Sequence, residues 1–172
     1  MGFVDSIKKI FRGRRDKVAT VQETLTCLPA EYLVFNGILY NDSEIHHVVF
    51  SRNKGLFVIN TASGKGEVTY NGSRLLVKGK PRSEVVKKIL QDIFWLKSTI
   101  REQIGVDVYI TPIVVFENAK VSVNGPIIGV RVMEPVSLVD AVAHAPERNA
   151  LEDGVVMVLR ELHGVQVIRY RG

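Results

Sequence analysis

At 172 residues, 46% hydrophobic and 8% aromatic, the chain carries enough apolar material for one domain with a real core, which excludes a disordered or low-complexity polypeptide. Its single cysteine, Cys27, excludes an internal disulfide, and no apolar run approaches the roughly 20 residues needed to cross a bilayer. The net charge of +5 is concentrated at the start: residues 1–17 hold six basic residues against two acidic, and the rest hold 17 against 16.

The high isoelectric point therefore describes a basic arm rather than a basic body. Within residues 1–17, Lys8, Lys9, Arg12, Arg14 and Arg15 flank Phe3, Val4, Ile7, Ile10 and Phe11, which fall at helical spacing. Such an amphipathic segment suits an anionic membrane surface or phosphate groups. Residues 18–172 are expected to form the folded body. A lone cysteine and the lack of an apolar secretory core point to the cytoplasm, with a membrane-peripheral position open through the arm.

Along the body, Val18, Val21, Leu25 and Leu28 space out a helix that Pro29 ends, with Glu23 on it. Tyr32–Tyr40 reads as a strand interrupted by Asn36-Gly37, which suggests a bulge or kink. After a turn at Asn41-Asp42-Ser43 come two apolar runs, Ile45–Phe50 and Leu56–Ile59, around a polar turn ending in Gly55. These form a hairpin, and their near-continuous hydrophobicity places it mid-sheet, covered on both faces. Polar residues there stand out: His46, His47, Asn60 and Thr61. Adjacent strand residues face opposite ways, so His46 and His47 share a site only across a bulge.

Asn71-Gly72 marks a second, smaller hairpin between Glu67–Tyr70 and Arg74–Val77. Lys65, Lys78, Lys80, Arg82, Lys87 and Lys88 cluster around it and the start of the next element, and are candidates for meeting a phosphate backbone. Ser83 is placed to cap a helix running to about Ile104, with an apolar stripe of Val86, Ile89, Leu96 and Ile100. Val106–Phe116 reads as a strand whose Pro112 marks a bend or an edge. Ile127–Met133 reads as another strand, Val136–Ala143 and Ala150–Leu162 as helices, the latter closed by His163-Gly164, and Val165–Tyr170 as a final strand. No P-loop, GxSxG, CxxC or HExxH occurs.

The central hairpin resembles that of the nuclease-related domain, a branch of the restriction-endonuclease-like superfamily. There the first strand carries Ile-Asp-His-Val-Val and the second Val-Phe-Val-Ile-Glu-x-Lys. Ile45, His47, Val48, Val49, Gly55, Phe57, Val58 and Ile59 stand where that pattern wants them. The resemblance implies an α/β fold with a restriction-endonuclease-like core, a central mixed β-sheet flanked by helices. It also implies metal-assisted phosphodiester hydrolysis, in which carboxylates hold a divalent cation and a lysine two residues on faces the same side.

Three positions depart from the pattern: His46 replaces the Asp, Asn60 the Glu and Ala62 the Lys. Asn can ligate through a neutral carbonyl, His prefers Zn²⁺ or Ni²⁺ to Mg²⁺, and Ala does nothing chemical. Glu23 and Gln91 sit where the family has a helix Glu and a helix Gln near its site. The expectation is a vestigial site of Glu23, His46, Asn60, Ala62 and Gln91, with no catalytic residue, metal or cofactor. The chain would then be a binding or regulatory module for nucleic acid or another protein. An active nuclease with an altered metal site and a peripheral membrane factor are the alternatives.

Overall fold

The structure, a computed structural model, describes the backbone of residues 20–169 and the side chains of residues 20–164. The basic arm of residues 1–17 lies outside them. Helix α1 (Val21–Leu25) opens the described chain. Thr20 accepts from the Glu23 N–H at 3.1 Å while Glu23 accepts from the Thr20 N–H at 3.3 Å, a capping box that fixes where the helix starts. The helix is shorter than its apolar spacing suggests, and irregular turns carry the chain on to β1.

Strands β1 (Leu33–Tyr40) and β2 (Ser43–Ser51) are antiparallel and joined at Asn41 and Asp42, with φ of 43° and 60°. Two consecutive left-handed residues make a primed turn, whose twist matches that of the flanking strands. Pairing runs from Leu33↔Phe50 to Tyr40↔Ser43 and skips only Gly37, opposite His46. Gly37 has φ of 75°, and the buried set changes parity there, from Phe35 and Val48 to Ile38 and Ile45. The expected kink is thus present, without any slip in register.

Strand β3 (Gly55–Ala62) pairs antiparallel with β2 and parallel with β7 (Ile110–Phe116), which pairs parallel with β9 (Arg131–Met133). The mixed sheet has the order β1-β2-β3-β7-β9, so the central hairpin is flanked on both sides. Pro112 sits opposite Val58 of β3, and the β9 ladder begins only at Ile113. The missing N–H therefore falls where β7 has a neighbour on one side alone.

Both faces are covered, which explains the unbroken apolar runs. On one face Phe50, Val58 and Val114 pack against Ile89 and Leu96 of α2 (Ser83–Ile104) and Val155 and Leu159 of α4 (Asp153–Arg169). On the other, Val49, Phe57, Ile113 and Val115 pack against Val21 and Leu25 of α1 and Leu138 and Val142 of α3 (Pro135–Ala143). Each such fully buried side chain contributes about 1.5–3 kcal/mol of transfer free energy. This is the helix-flanked mixed sheet of a restriction-endonuclease-like core.

A second sheet of order β6-β5-β4-β8 holds β4 (Gly66–Tyr70), β5 (Leu75–Val77), β6 (Lys80–Pro81) and β8 (Ala119–Val121). The Asn71-Gly72 turn is a four-residue loop, in which the Asn71 side chain accepts from the Ser73 and Arg74 N–H groups. Helix α2 begins without a side-chain cap: Arg82 is its N-cap residue and Ser83 its first helical residue.

The C-terminal third departs most from expectation. Ile127–Met133 is not one strand, because Ile128 and Gly129 form a tight turn closed by Ile127 and Val130, and only Arg131–Met133 joins the sheet. Helix α4 starts at Asp153 rather than Ala150 and passes through Gly164 to Arg169, replacing the expected final strand. A single glycine costs a helix about 1 kcal/mol relative to Ala, too little to stop one this long.

Candidate functional site

The antiparallel ladder between β2 and β3 ends at His47↔Ile59. Beyond it, side chains take over. Asn60 Oδ1 accepts from the His46 N–H at 3.1 Å. In return, His46 Nδ1 accepts from the Thr61 N–H at 2.9 Å and lies 2.8 Å from the Thr61 hydroxyl. Two of the residues that depart from the nuclease pattern therefore bridge the open end of the hairpin. A ring nitrogen that accepts from a backbone N–H has no lone pair left for a metal.

Asn60 faces α2, where its Nδ2 donates to Asp92 Oδ2 at 2.6 Å. Asp92 is fully buried. Lys88, one turn earlier, donates to both carboxylate oxygens at 2.6 Å and to the Glu44 carbonyl at 2.9 Å. The Tyr40 hydroxyl donates to Asp92 Oδ1 at 2.5 Å. Burial, reinforced by this bond and by the carboxylate's charge, pushes the Tyr40 phenol up to about 12, so it remains a donor. Its ring stacks on Trp95 with centroids 4.2 Å apart. Strands β1, β2 and β3 are thus tied to α2 through one carboxylate.

His47 points elsewhere. Its Nδ1 lies 2.8 Å from Asn36 Oδ1, and its ring centroid is 6.5 Å from that of His46. Burial, with repulsion from His46, lowers its pKa to about 4. Its surroundings are those of a neutral core histidine.

The remaining candidates are dispersed. Ala62 packs its methyl into the apolar cluster beneath α2. Glu23 serves the capping box of α1, a helix on the sheet face opposite α2. Gln91 is exposed, and the residue that enters the site is its neighbour Asp92. Of the six basic candidates, Lys88 is bonded to Asp92, and Arg82 donates to the Ser63 carbonyl at 2.8 Å and to Glu84 at 2.5 Å. Lys65, Lys78, Lys80 and Lys87 are exposed. The stem of Lys78 crosses Gly66, where an added Cβ would lie 2.5 Å from its Cγ, so Lys78 is held next to the Lys65 segment.

These donors do not fit a nuclease's divalent ion. Mg²⁺ is held through carboxylates left open to it and to water. Here Asn60 and Ala62 stand where a carboxylate and a lysine would, and the one carboxylate present has both oxygens engaged by Lys88, Asn60 and Tyr40. Among the described residues, no group of three or more His, Cys, Asp or Glu side chains is placed to hold a metal ion. None of their helices is long and apolar enough to cross a membrane.

Neither Asp92, Tyr40 nor the role of Lys88 stands out from the sequence by motif. A signal existed for Asp92: it lies three residues after Ile89 and four before Leu96, on the stripe that faces the sheet. A carboxylate on such a stripe needs a partner, and a lysine stands four residues before it.

A sequence model of the nuclease-related domain family matches residues 12–117, ending one residue after β7. No curated protein and no solved structure matches the chain.

Proposed function

The chain belongs to the nuclease-related domain family, and from that premise we propose that it is a catalytically degenerate member, one that binds instead of cutting. A single observation carries this reading: at the open end of the hairpin the only carboxylate in the network, Asp92, is saturated from within the chain. Hydrolysis of a phosphodiester by this family's chemistry needs a carboxylate-held ion to activate water and to stabilise the charge that develops on the phosphate. Asn60 and Ala62 supply neither the negative charge nor the cationic donor.

Nucleic acid is the partner class that the remaining surface favours. The exposed Lys65, Lys78, Lys80 and Lys87 lie on the small sheet, on its connection to β3 and on the first turns of α2. Lysines contact phosphates as point charges, giving an affinity that falls steeply with salt and carries little sequence preference.

Two assays on the full chain test the reading. Incubation with plasmid or single-stranded DNA and Mg²⁺, Mn²⁺ or Zn²⁺ is expected to give no metal-dependent cleavage. Binding to DNA and RNA across a salt series is expected to weaken as salt rises, at about 0.9 log units per tenfold change for each duplex phosphate contacted. Cleavage that requires the metal refutes the loss of catalysis. No binding to DNA or RNA even at low salt refutes the nucleic-acid role and points to a protein partner.

A further inference from the structure

We propose that the ammonium of Lys88 is a tethered substitute for the ion that a nuclease-related site takes from solution, and that removing it uncovers a latent site for a divalent cation. The inference rests on the reading of a non-cleaving domain and says how the site came to need no exchangeable ion. Lys88 Nζ contacts three oxygens, the two of Asp92 at 2.6 Å and the Glu44 carbonyl at 2.9 Å. A fourth oxygen, the Tyr40 hydroxyl, is bonded to the same carboxylate. The three oxygens around the ammonium, two of a carboxylate and one of a carbonyl, are the donor chemistry of a hard cation. The spacing is that of N–H···O bonds and longer than the 2.0–2.1 Å of Mg²⁺–O, so the set is drawn around an ammonium.

This pair differs from the other ion pairs among the described residues, none of which has a fully buried carboxylate. Arg101–Asp107 joins side chains 68% and 69% exposed, and Arg52–Asp153 joins side chains 56% and 82% exposed. Such pairs contribute little. In Lys88–Asp92 the lysine is 38% exposed and the carboxylate 0%. A buried carboxylate stripped of its counter-charge is strongly unfavourable, so the vacated position takes up positive charge, for which a divalent cation competes with a proton. The lysine stem reaches solvent, so its truncation leaves an opening through which a partly hydrated ion can enter.

The test uses the full chain carrying Lys88→Ala, with Lys88→Ser as a milder truncation, and Mn²⁺ and Mg²⁺ as the probe ions. Thermal unfolding is one readout. The other is fluorescence of Trp95, the single tryptophan, which stacks on the tyrosine that holds Asp92 and so reports paramagnetic Mn²⁺ nearby. Without a divalent ion both variants are expected to melt roughly 5–10 °C below wild type. Millimolar Mn²⁺ should restore most of that loss and quench Trp95. Wild type, and Lys88→Ala combined with Asp92→Asn, should show neither response.

The inference is overturned if the truncated variants melt like wild type, if their loss is indifferent to both ions, if they stay unfolded with and without the ions, or if wild type responds equally. No DNA is present, so these outcomes are separate from the cleavage assay. A wild-type chain that cuts DNA would sink the earlier reading, whereas an ion-blind Lys88→Ala sinks this one.

Discussion

The two ends of the central hairpin are built on different principles. At the turn end most bonds are backbone to backbone: Lys54 N–H to the Ser51 carbonyl at 3.4 Å, Leu56 N–H to the Tyr109 carbonyl at 2.9 Å, and Arg148 and Leu151 N–H to the Asn53 and Arg52 carbonyls at 2.6 and 2.8 Å, with Lys54 Nζ on the Ala143 carbonyl and the exposed Arg52–Asp153 pair added at the rim. At the open end the ladder stops at His47↔Ile59, and Asn60, His46, Asp92, Lys88 and Tyr40 hold the strands by side chains. A backbone-built end constrains conformation and can be made by many sequences. A side-chain-built end depends on which residues are there, so it is where chemistry can be exchanged while the fold is kept. A cleft of about 780 Å³ beside the turn end, lined by Arg52, Lys54, Asp153 and Met157 among others, includes none of the candidate site residues.

The open end should break hardest at Asp92. Asp92→Ala leaves Lys88, Asn60 and Tyr40 without their shared acceptor, and urea unfolding is expected to register a loss of about 3–5 kcal/mol. The turn end should fail for a steric reason. Gly55 has φ of 88°, and a Cβ there would lie 2.6 Å from the Tyr109 carbonyl oxygen. Gly55→Ala is accordingly expected to cost about 3 kcal/mol in the same measurement, with no change in any response to divalent ions.

His47 sharpens the contrast through pH. Its folded-state pKa of about 4 lies below the usual 6.5, so the folded protein prefers the neutral ring. Its contribution is fully present above pH 6.5 and is lost as pH falls towards 4, where the unfolded chain binds a proton that the folded one refuses. Over that window stability should drop by roughly 2–3 kcal/mol on this account, and His47→Gln should flatten the dependence. The smallest effect is expected at Glu84. Arg82, through its hydrogen bond, lowers the Glu84 pKa, but the carboxylate is exposed. Glu84→Gln should change stability by less than about 0.5 kcal/mol.

How far the sequence reveals this molecule follows the same division. The hairpin, the limits of α2 and the kink at Gly37 were legible because local propensity, apolar continuity and turn residues all act over short distances. So were His46 and Asn60, since polar residues in a covered strand need partners. The partners themselves were not legible: Asp92 lies 32 residues beyond Asn60, and only packing α2 on the sheet brings them together. Gln91 drew attention through the family resemblance, while helical phase points its neighbour inward. The apolar character of Val165–Tyr170 suggests a strand, yet the helix begun at Asp153 runs on to Arg169. Short apolar runs do not by themselves distinguish helix from strand.

The central claim is that Asp92 is already occupied from within the chain, and counting bound Mn²⁺ on the wild-type protein tests it most directly. Titrated into a known concentration of the full chain and followed by the electron paramagnetic resonance signal of free Mn²⁺, the ion is expected to remain free, with the same result for Asp92→Asn. One equivalent of Mn²⁺ bound by wild type and lost in Asp92→Asn would contradict the account, because it would mean that the carboxylate is open to a metal after all.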